Sequence, residues 1–254
     1  MDRTAFYAAL RSRASTAFGT SLSQKQVNGC ETLLNEGESR GSRLPCLAYV
    51  LATAYHETAH TMQPIEEYGK GKGRKYGAPA GPYGKVYYGR GYVQLTWLEN
   101  YQKAGEKLAV NLVKYPEQAL KPDIAAEILF TGMEEGWFTG KKLDDYLTVL
   151  ATDYVGARRI VNGTDKASLI AGYARDFEAA LKAAGYARQK PQPGPVFGPP
   201  PLGTPIPGTK PYEPPVASPA PPVADPAPKA TPDQKLTLAQ IIAAAFAWLF
   251  PGKK

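Results

Sequence analysis

The side chains best suited to do chemistry lie within residues 54–101. They run His56-Glu57-Thr58-Ala59-His60, then Glu66-Glu67, then Tyr87-Tyr88-Gly89-Arg90-Gly91-Tyr92-Val93-Gln94-Leu95-Thr96-Trp97. Two incompatible chemistries can be read here. The first takes H-E-x-x-H literally. On a helix, residues four apart share a face, so His56 and His60 would reach one zinc ion while Glu57 polarises a water. The chain has 2 histidines in all, so a third protein ligand would be Glu99, Glu106 or another downstream carboxylate. A pattern that fixes only three positions often occurs by chance.

The second chemistry uses more of the stretch. Hydrolysis of a glycosidic bond needs a protonated carboxylic acid on one side of the sugar and an ionised carboxylate on the other. Glu57 closes an apolar run, where desolvation favours the protonated form. Glu66 and Glu67 follow in a more hydrated loop, as a base requires. Thr96 and Gln94 suit the positioning of water and sugar hydroxyls. Tyr68, Tyr87, Tyr88, Tyr92 and Trp97 offer flat faces for pyranose rings, although any one of them would equally serve a half-buried loop core.

The elements that must position these groups read as mainly α. Residues 4–17 carry Phe6, Leu10 and Ala14 on one stripe. Ser23-Gln24-Lys25-Gln26 has the form of a capping box and opens a helix with Val27, Cys30 and Leu34. Residues 36–41 read as a polar loop. From Leu44 an apolar helix is expected to about His60, burying Leu47, Val50, Leu51, Ala54 and Thr58 with Tyr55 beside them. Residues 62–92, rich in glycine, tyrosine and lysine and holding Pro64, Pro79 and Pro82, oppose helix and predict a long functional loop with a short hairpin. Helical spacing returns at 98–108, 123–135 and 143–154. A last helix begins after Thr164 or Asp165, carries Leu169, Ile170, Tyr173, Phe177, Ala180 and Leu181, and ends at Gly185.

Composition divides the chain. Of its 24 prolines, 17 fall within residues 191–232. Residues 1–186 are therefore the expected folded domain, 187–234 a disordered Pro-rich linker and 235–254 an apolar C-terminal helix. The apolar run 236–250 contains Gln240 and falls short of the roughly 20 residues a bilayer span needs. Insertion at a membrane surface or packing on a partner protein is expected instead. The formal charge of +7 fits an anionic polymer, and equally an ordinary solvated surface. Cys30 and Cys46 read as small buried apolar residues and not as a disulfide scaffold. The N-terminal residues do not resemble a signal peptide, so the expectation is a cytoplasmic product that reaches a cell wall after release.

Ala54-Tyr55-His56-Glu57-Thr58, the segment from Tyr87 to Trp97 with Asn100-Tyr101, and Arg158-Arg159-Ile160-Val161-Asn162-Gly163 together resemble the family 19 glycoside hydrolases. These are chitinases of plants and bacteria and related phage endolysins. The likeness covers most of residues 1–186. It implies a lysozyme-like, mainly α fold with a deep cleft and an inverting mechanism without a cofactor. It implies Glu57 as general acid and Glu66 as base, nine residues on as in the endolysin branch, with Glu67 as substitute. Thr96 matches the hydroxyl residue that holds the attacking water. Gln94, Tyr88, Trp97, Asn100, Tyr101 and Asn162 complete the sugar-binding wall. His60 falls where the family needs no histidine. The implied partner is peptidoglycan, or chitin, bound by a monomer; nucleic acid is not expected. The short catalytic loop and the apolar C-terminal segment favour peptidoglycan and a phage or prophage endolysin.

Overall fold

Composition dictates the central element. Residues 44–57 hold scarcely a polar side chain before their last two, and a helix that is apolar on every side has to be surrounded. The computed structural model describes residues 1–186. Its helices are α1 (Arg3–Leu10), α2 (Gln24–Ser39), α3 (Leu44–Glu57), α4 (Leu98–Leu108), α5 (Pro122–Glu135) and α6 (Ala167–Ala183), and its strands β1 (Ile65–Glu66) and β2 (Arg90–Gly91). The expected mainly α class is therefore found. Pro45, placed where its missing N–H costs nothing, starts α3, and every residue from Cys46 to Tyr55 is buried. α3 packs chiefly along α6, which also receives α1, while α2 lies on α5. Ile170, Tyr173, Phe177 and Leu181 form the buried stripe of α6, as its spacing predicts; Leu169 is exposed instead. Cys30 and Cys46 are buried and unpaired.

Three expected boundaries differ. α1 stops at Leu10 and Ala14 is exposed. The residues that follow bond elsewhere and do not continue the helix: the Ser15 hydroxyl accepts the Ala17 N–H at 3.3 Å, and Thr16 donates both its N–H and its hydroxyl to Asp176 on α6, 2.7 Å each. Residues 36–39, expected as loop, extend α2 from the capping box at Ser23 and Gln26. There Glu36 pairs with Arg40, and Arg40 also reaches Glu127 at 2.9 Å and Glu134 at 2.8 Å on α5. Residues 143–154 form no α-helix. After a 3-10 turn at Leu143–Asp145, the Thr148 hydroxyl takes the N–H groups of Leu150 and Ala151 and closes a tight turn bridged by Leu147 and Thr152.

The long loop at 62–92 is present as expected, with β1 and β2 pairing antiparallel at its ends, Ile65 opposite Gly91 and Glu66 opposite Arg90. Among the described residues no helix is long and apolar enough to cross a membrane. The linker and C-terminal helix expected at 187–234 and 235–254 lie outside the described residues.

Candidate active site

Glu57 is the last residue of α3. The helix ends there because buried Thr58 turns its hydroxyl onto the Ala54 carbonyl at 2.7 Å and accepts the Met62 N–H at 3.1 Å. Ala59 and His60 then take positive φ of 50° and 68°. This break disposes of the zinc geometry. His60 leaves the helical face that carries His56 and stacks on Tyr55, with centroids 4.2 Å apart and planes 7° from parallel. Burial pushes the His56 imidazole pKa down. Among the described residues no three His, Cys, Asp or Glu side chains are grouped to hold a metal ion, and Glu99 and Glu106 lie on α4.

The carboxylate of Glu57 faces the negative end of its own helix. Arg158, buried at 3% exposure in the 3-10 turn Gly156–Ile160, offsets this with Nη1 at 2.5 Å from Glu57 Oε1. Its Nε donates to the Asp165 carbonyl at 3.0 Å, so the guanidinium is held from two sides. The expectation of desolvation alone at Glu57 is thus corrected: a buried cation lies on one of its oxygens. Asn162 is exposed just beyond, its N–H bonded to the Arg158 carbonyl at 3.1 Å.

Glu66 sits differently. The Tyr88 hydroxyl donates to Oε1 at 2.5 Å and Lys70 Nζ lies 3.0 Å from Oε2. These two bonds, Tyr88 first, hold the Glu66 carboxyl below the usual carboxylate range. Tyr88 is fixed in turn by Arg90, whose guanidinium carbon lies 3.6 Å from the ring centroid. Tyr101 is enclosed at 0% exposure, accepting from Arg90 Nη1 at 3.0 Å and donating to the Tyr88 carbonyl at 2.8 Å. It steadies the wall from behind and presents no face to a sugar.

The remaining residues gather around the same ladder. Glu67 is engaged at both oxygens, by Tyr76 at 3.0 Å and by the Gly89 N–H at 3.1 Å, so it clamps the loop to the strand. Gln94, at φ 54°, donates Nε2 to the carbonyls of Ile65 at 3.1 Å and Gly91 at 3.3 Å. Asn100 caps the Thr96 carbonyl at 2.9 Å, leaving the Thr96 hydroxyl without a partner among the described residues. Trp97 is 43% exposed, edge-on to Tyr76 at 5.5 Å. Glu66, Glu67, Tyr88, Gln94, Tyr101 and Trp97 are therefore one connected group. Glu57, Arg158 and Asn162 are a second, joined to the first along the chain by residues 58–65. Arg158 as the partner of Glu57 was not legible, since 101 residues separate them. Lys70 was missed too; its place four residues after Glu66 was the one signal for it.

The chain is 33% identical over 122 residues to an endochitinase of Arabidopsis thaliana, a match covering 46% of this chain and 39% of that one. A basic endochitinase of Brassica napus is 32% identical over 147 residues, covering 55% and 49%. The chain is thus similar in sequence to plant endochitinases over about half of its length. No family model matches the chain. The chain spans about two-fifths to half the length of the endochitinases it matches. Among solved structures, a bacterial family 19 chitinase aligns over 74% of this chain and 97% of its own, with a TM-score of 0.48 at 21% identity. Chitinase C from Streptomyces griseus aligns over 74% and 94%, with a TM-score of 0.46 at 21% identity.

One consequence of the Glu66 seat can be measured without substrate. Its folded pKa lies below the unfolded one, so its bonds add stability that is fully present above the ordinary carboxylate pKa. That stability is lost as pH falls through the lower folded value. Tyr88→Phe is expected to cost on the order of 1 kcal/mol at neutral pH, reduced from a fully buried charged bond by the partial exposure of Glu66. Thermal melts from pH 7 downward should show the gap to the parent closing in acid. A gap constant with pH would mean that the hydroxyl does not act through the carboxylate.

Proposed function

We propose that this chain is a glycosidase that cleaves β-1,4-linked N-acetylhexosamine polymers with inversion, Glu57 acting as acid and Glu66 as base. The observation that carries this reading is the unlike seating of the two carboxyls. Glu66 is held ionised by Tyr88 and Lys70 and is ready to take a proton. Glu57 has Oε1 anchored by Arg158, while Oε2 has no hydrogen-bond partner among the described residues and is the oxygen free to face a leaving group. In the single displacement, Glu66 accepts a proton from water as the water oxygen bonds to C1. The C1–O4 bond breaks and Glu57 protonates the departing O4. Thr96 and Gln94 serve the water and the sugar, Trp97 a ring face, and Tyr88 holds the base, with Asn100 and Asn162 at the edges. The endochitinase names of the relatives point to the same bond class.

Within that class we assign peptidoglycan as the polymer and a phage or prophage endolysin as the role. The nine-residue step from Glu57 to Glu66 and the apolar run at 236–250 support this assignment. Chitin is the second reading, favoured by the relatives' names. The test is hydrolysis of purified peptidoglycan and of chitin oligosaccharides, with the anomer of the new reducing end read by NMR. Inverted product, unchanged by EDTA or by His60→Ala, is expected. Loss of activity under both treatments would restore the zinc reading, and a retained anomer would remove the assigned mechanism. Cleavage of chitin alone would overturn the wall assignment.

A further inference from the structure

Between Glu67 and Glu99 the chain has no acidic residue at all, yet it carries Lys70, Lys72, Arg74, Lys75, Lys85 and Arg90. The rest of residues 1–186 is net acidic, so the modest overall charge hides a concentrated positive loop. Arg90 is buried and Lys70 is committed to Glu66. Lys72, Arg74, Lys75 and Lys85 are exposed, and none meets a carboxylate among the described residues. A run of lysines is usually just a solvated face, but this one is built into the site. The loop advances by tight turns, Lys70 to Glu67, Lys72 to Gly69 and Arg74 to Gly71. It crosses itself where a Cβ on Gly71 would lie 2.6 Å from the Cα of Gly77 and 3.3 Å from the Cβ of Tyr88. Tyr76, next to Lys75, then pins it to Glu67 and meets Trp97. The cations thus fringe the wall that carries the base.

We propose that this basic loop recognises carboxylates borne on the glycan strand, and so selects peptidoglycan, with its lactyl-linked acidic peptides, over neutral chitin. The proposal rests on the reading of this site as a glycan site. Exposed charges act over a Debye length of about 10 Å at 0.1 M salt and about 3 Å at 1 M, so the selection must be salt-sensitive. A cleft edged by one sign of charge raises capture of an opposite polymer by a factor of ten or more.

The test uses the full chain with Lys72→Gln, Arg74→Gln and Lys75→Gln combined, all at exposed positions, with the fold checked by thermal melting. Three substrates separate the terms: sacculi stripped of phosphate polymers, the same sacculi with carboxyls amidated, and neutral chitin oligosaccharides. At 50 mM salt the variant is expected to lose about tenfold in kcat/KM on the native sacculi and nothing on the other two. The parent should fall to the variant's level as salt rises to 500 mM. Equal losses on all three substrates, or none on any, would overturn the proposal. Should neither polymer be cleaved, the catalytic reading fails, and co-sedimentation still decides this one. Salt-sensitive retention on native sacculi and not on amidated sacculi supports it, and equal retention on both refutes it.

Discussion

Glu57→Gln is expected to abolish hydrolysis while leaving the fold intact. The amide keeps the shape of the side chain and still offers an oxygen to Arg158, whose Nη1 lies 2.5 Å from Oε1 in the parent. What it lacks is a proton that can be transferred to the departing oxygen. General acid catalysis contributes about 10²–10⁴-fold, so kcat should fall by at least that lower figure. Binding of substrate and the melting temperature should change little. Arg158→Ala gives the contrasting pattern, because it leaves Glu57 at a helix C-terminus without its cation and also drops the bond to the Asp165 carbonyl. That variant should lose activity and melting temperature together. A Glu57→Gln protein that clears peptidoglycan at the parental rate would remove Glu57 from the reaction.

Gly29→Ala should be strongly destabilising although it touches neither carboxylate. Gly29 is buried on α2, against the turn that leads from Glu57 to Glu66. A Cβ there would overlap the Met62 carbonyl oxygen and lie 2.7 Å from its carbon and 2.9 Å from Gln63 Nε2. The same turn is tied to α2 by Gln63 Nε2, which donates to the Lys25 carbonyl at 2.6 Å, and by Gln26 Nε2, which donates to the His60 carbonyl at 2.9 Å. Backbone faces backbone at this contact, so nothing flexible can yield. Overpacking of this kind costs about 1–3 kcal/mol, and the gain of roughly 1 kcal/mol in helix propensity does not offset it. The control is Gly172→Ala on α6, where an added Cβ meets nothing within 4 Å and propensity alone should act. Denaturant melts should show Gly29→Ala well below the parent and Gly172→Ala at or above it. Two similar midpoints would mean that the turn gives way.

Residue type and spacing were enough to place the mainly α elements, because apolar periodicity is a local property. The unbroken apolar run of α3, the capping box at Ser23 and the Gly- and Tyr-rich loop all appear where they were expected. Local rules failed where side chains and distant partners compete for the backbone. The threonine turn at 148–151 replaced an expected helix, and the Arg40 pairs to α5 accompany helix where a loop was expected.

At the site the same division holds. Glu57, Glu66 and the aromatic wall were legible as types in one stretch, but the pair of Glu66 with Lys70 was not, because residues 66–70 are not helical. The H-E-x-x-H spacing was legible too, but spacing alone does not put both rings on one face. Whether His60 stays on the helical face depends on Thr58 and on the stack with Tyr55, which only the folded chain supplies. Tertiary structure alone brought Arg158 to Glu57, set Arg90 under Tyr88 and enclosed Tyr101 behind them. Charge and shape at a site are sums over residues far apart in the chain. The sequence by itself determined which groups could react; the fold decided how each carboxyl is held.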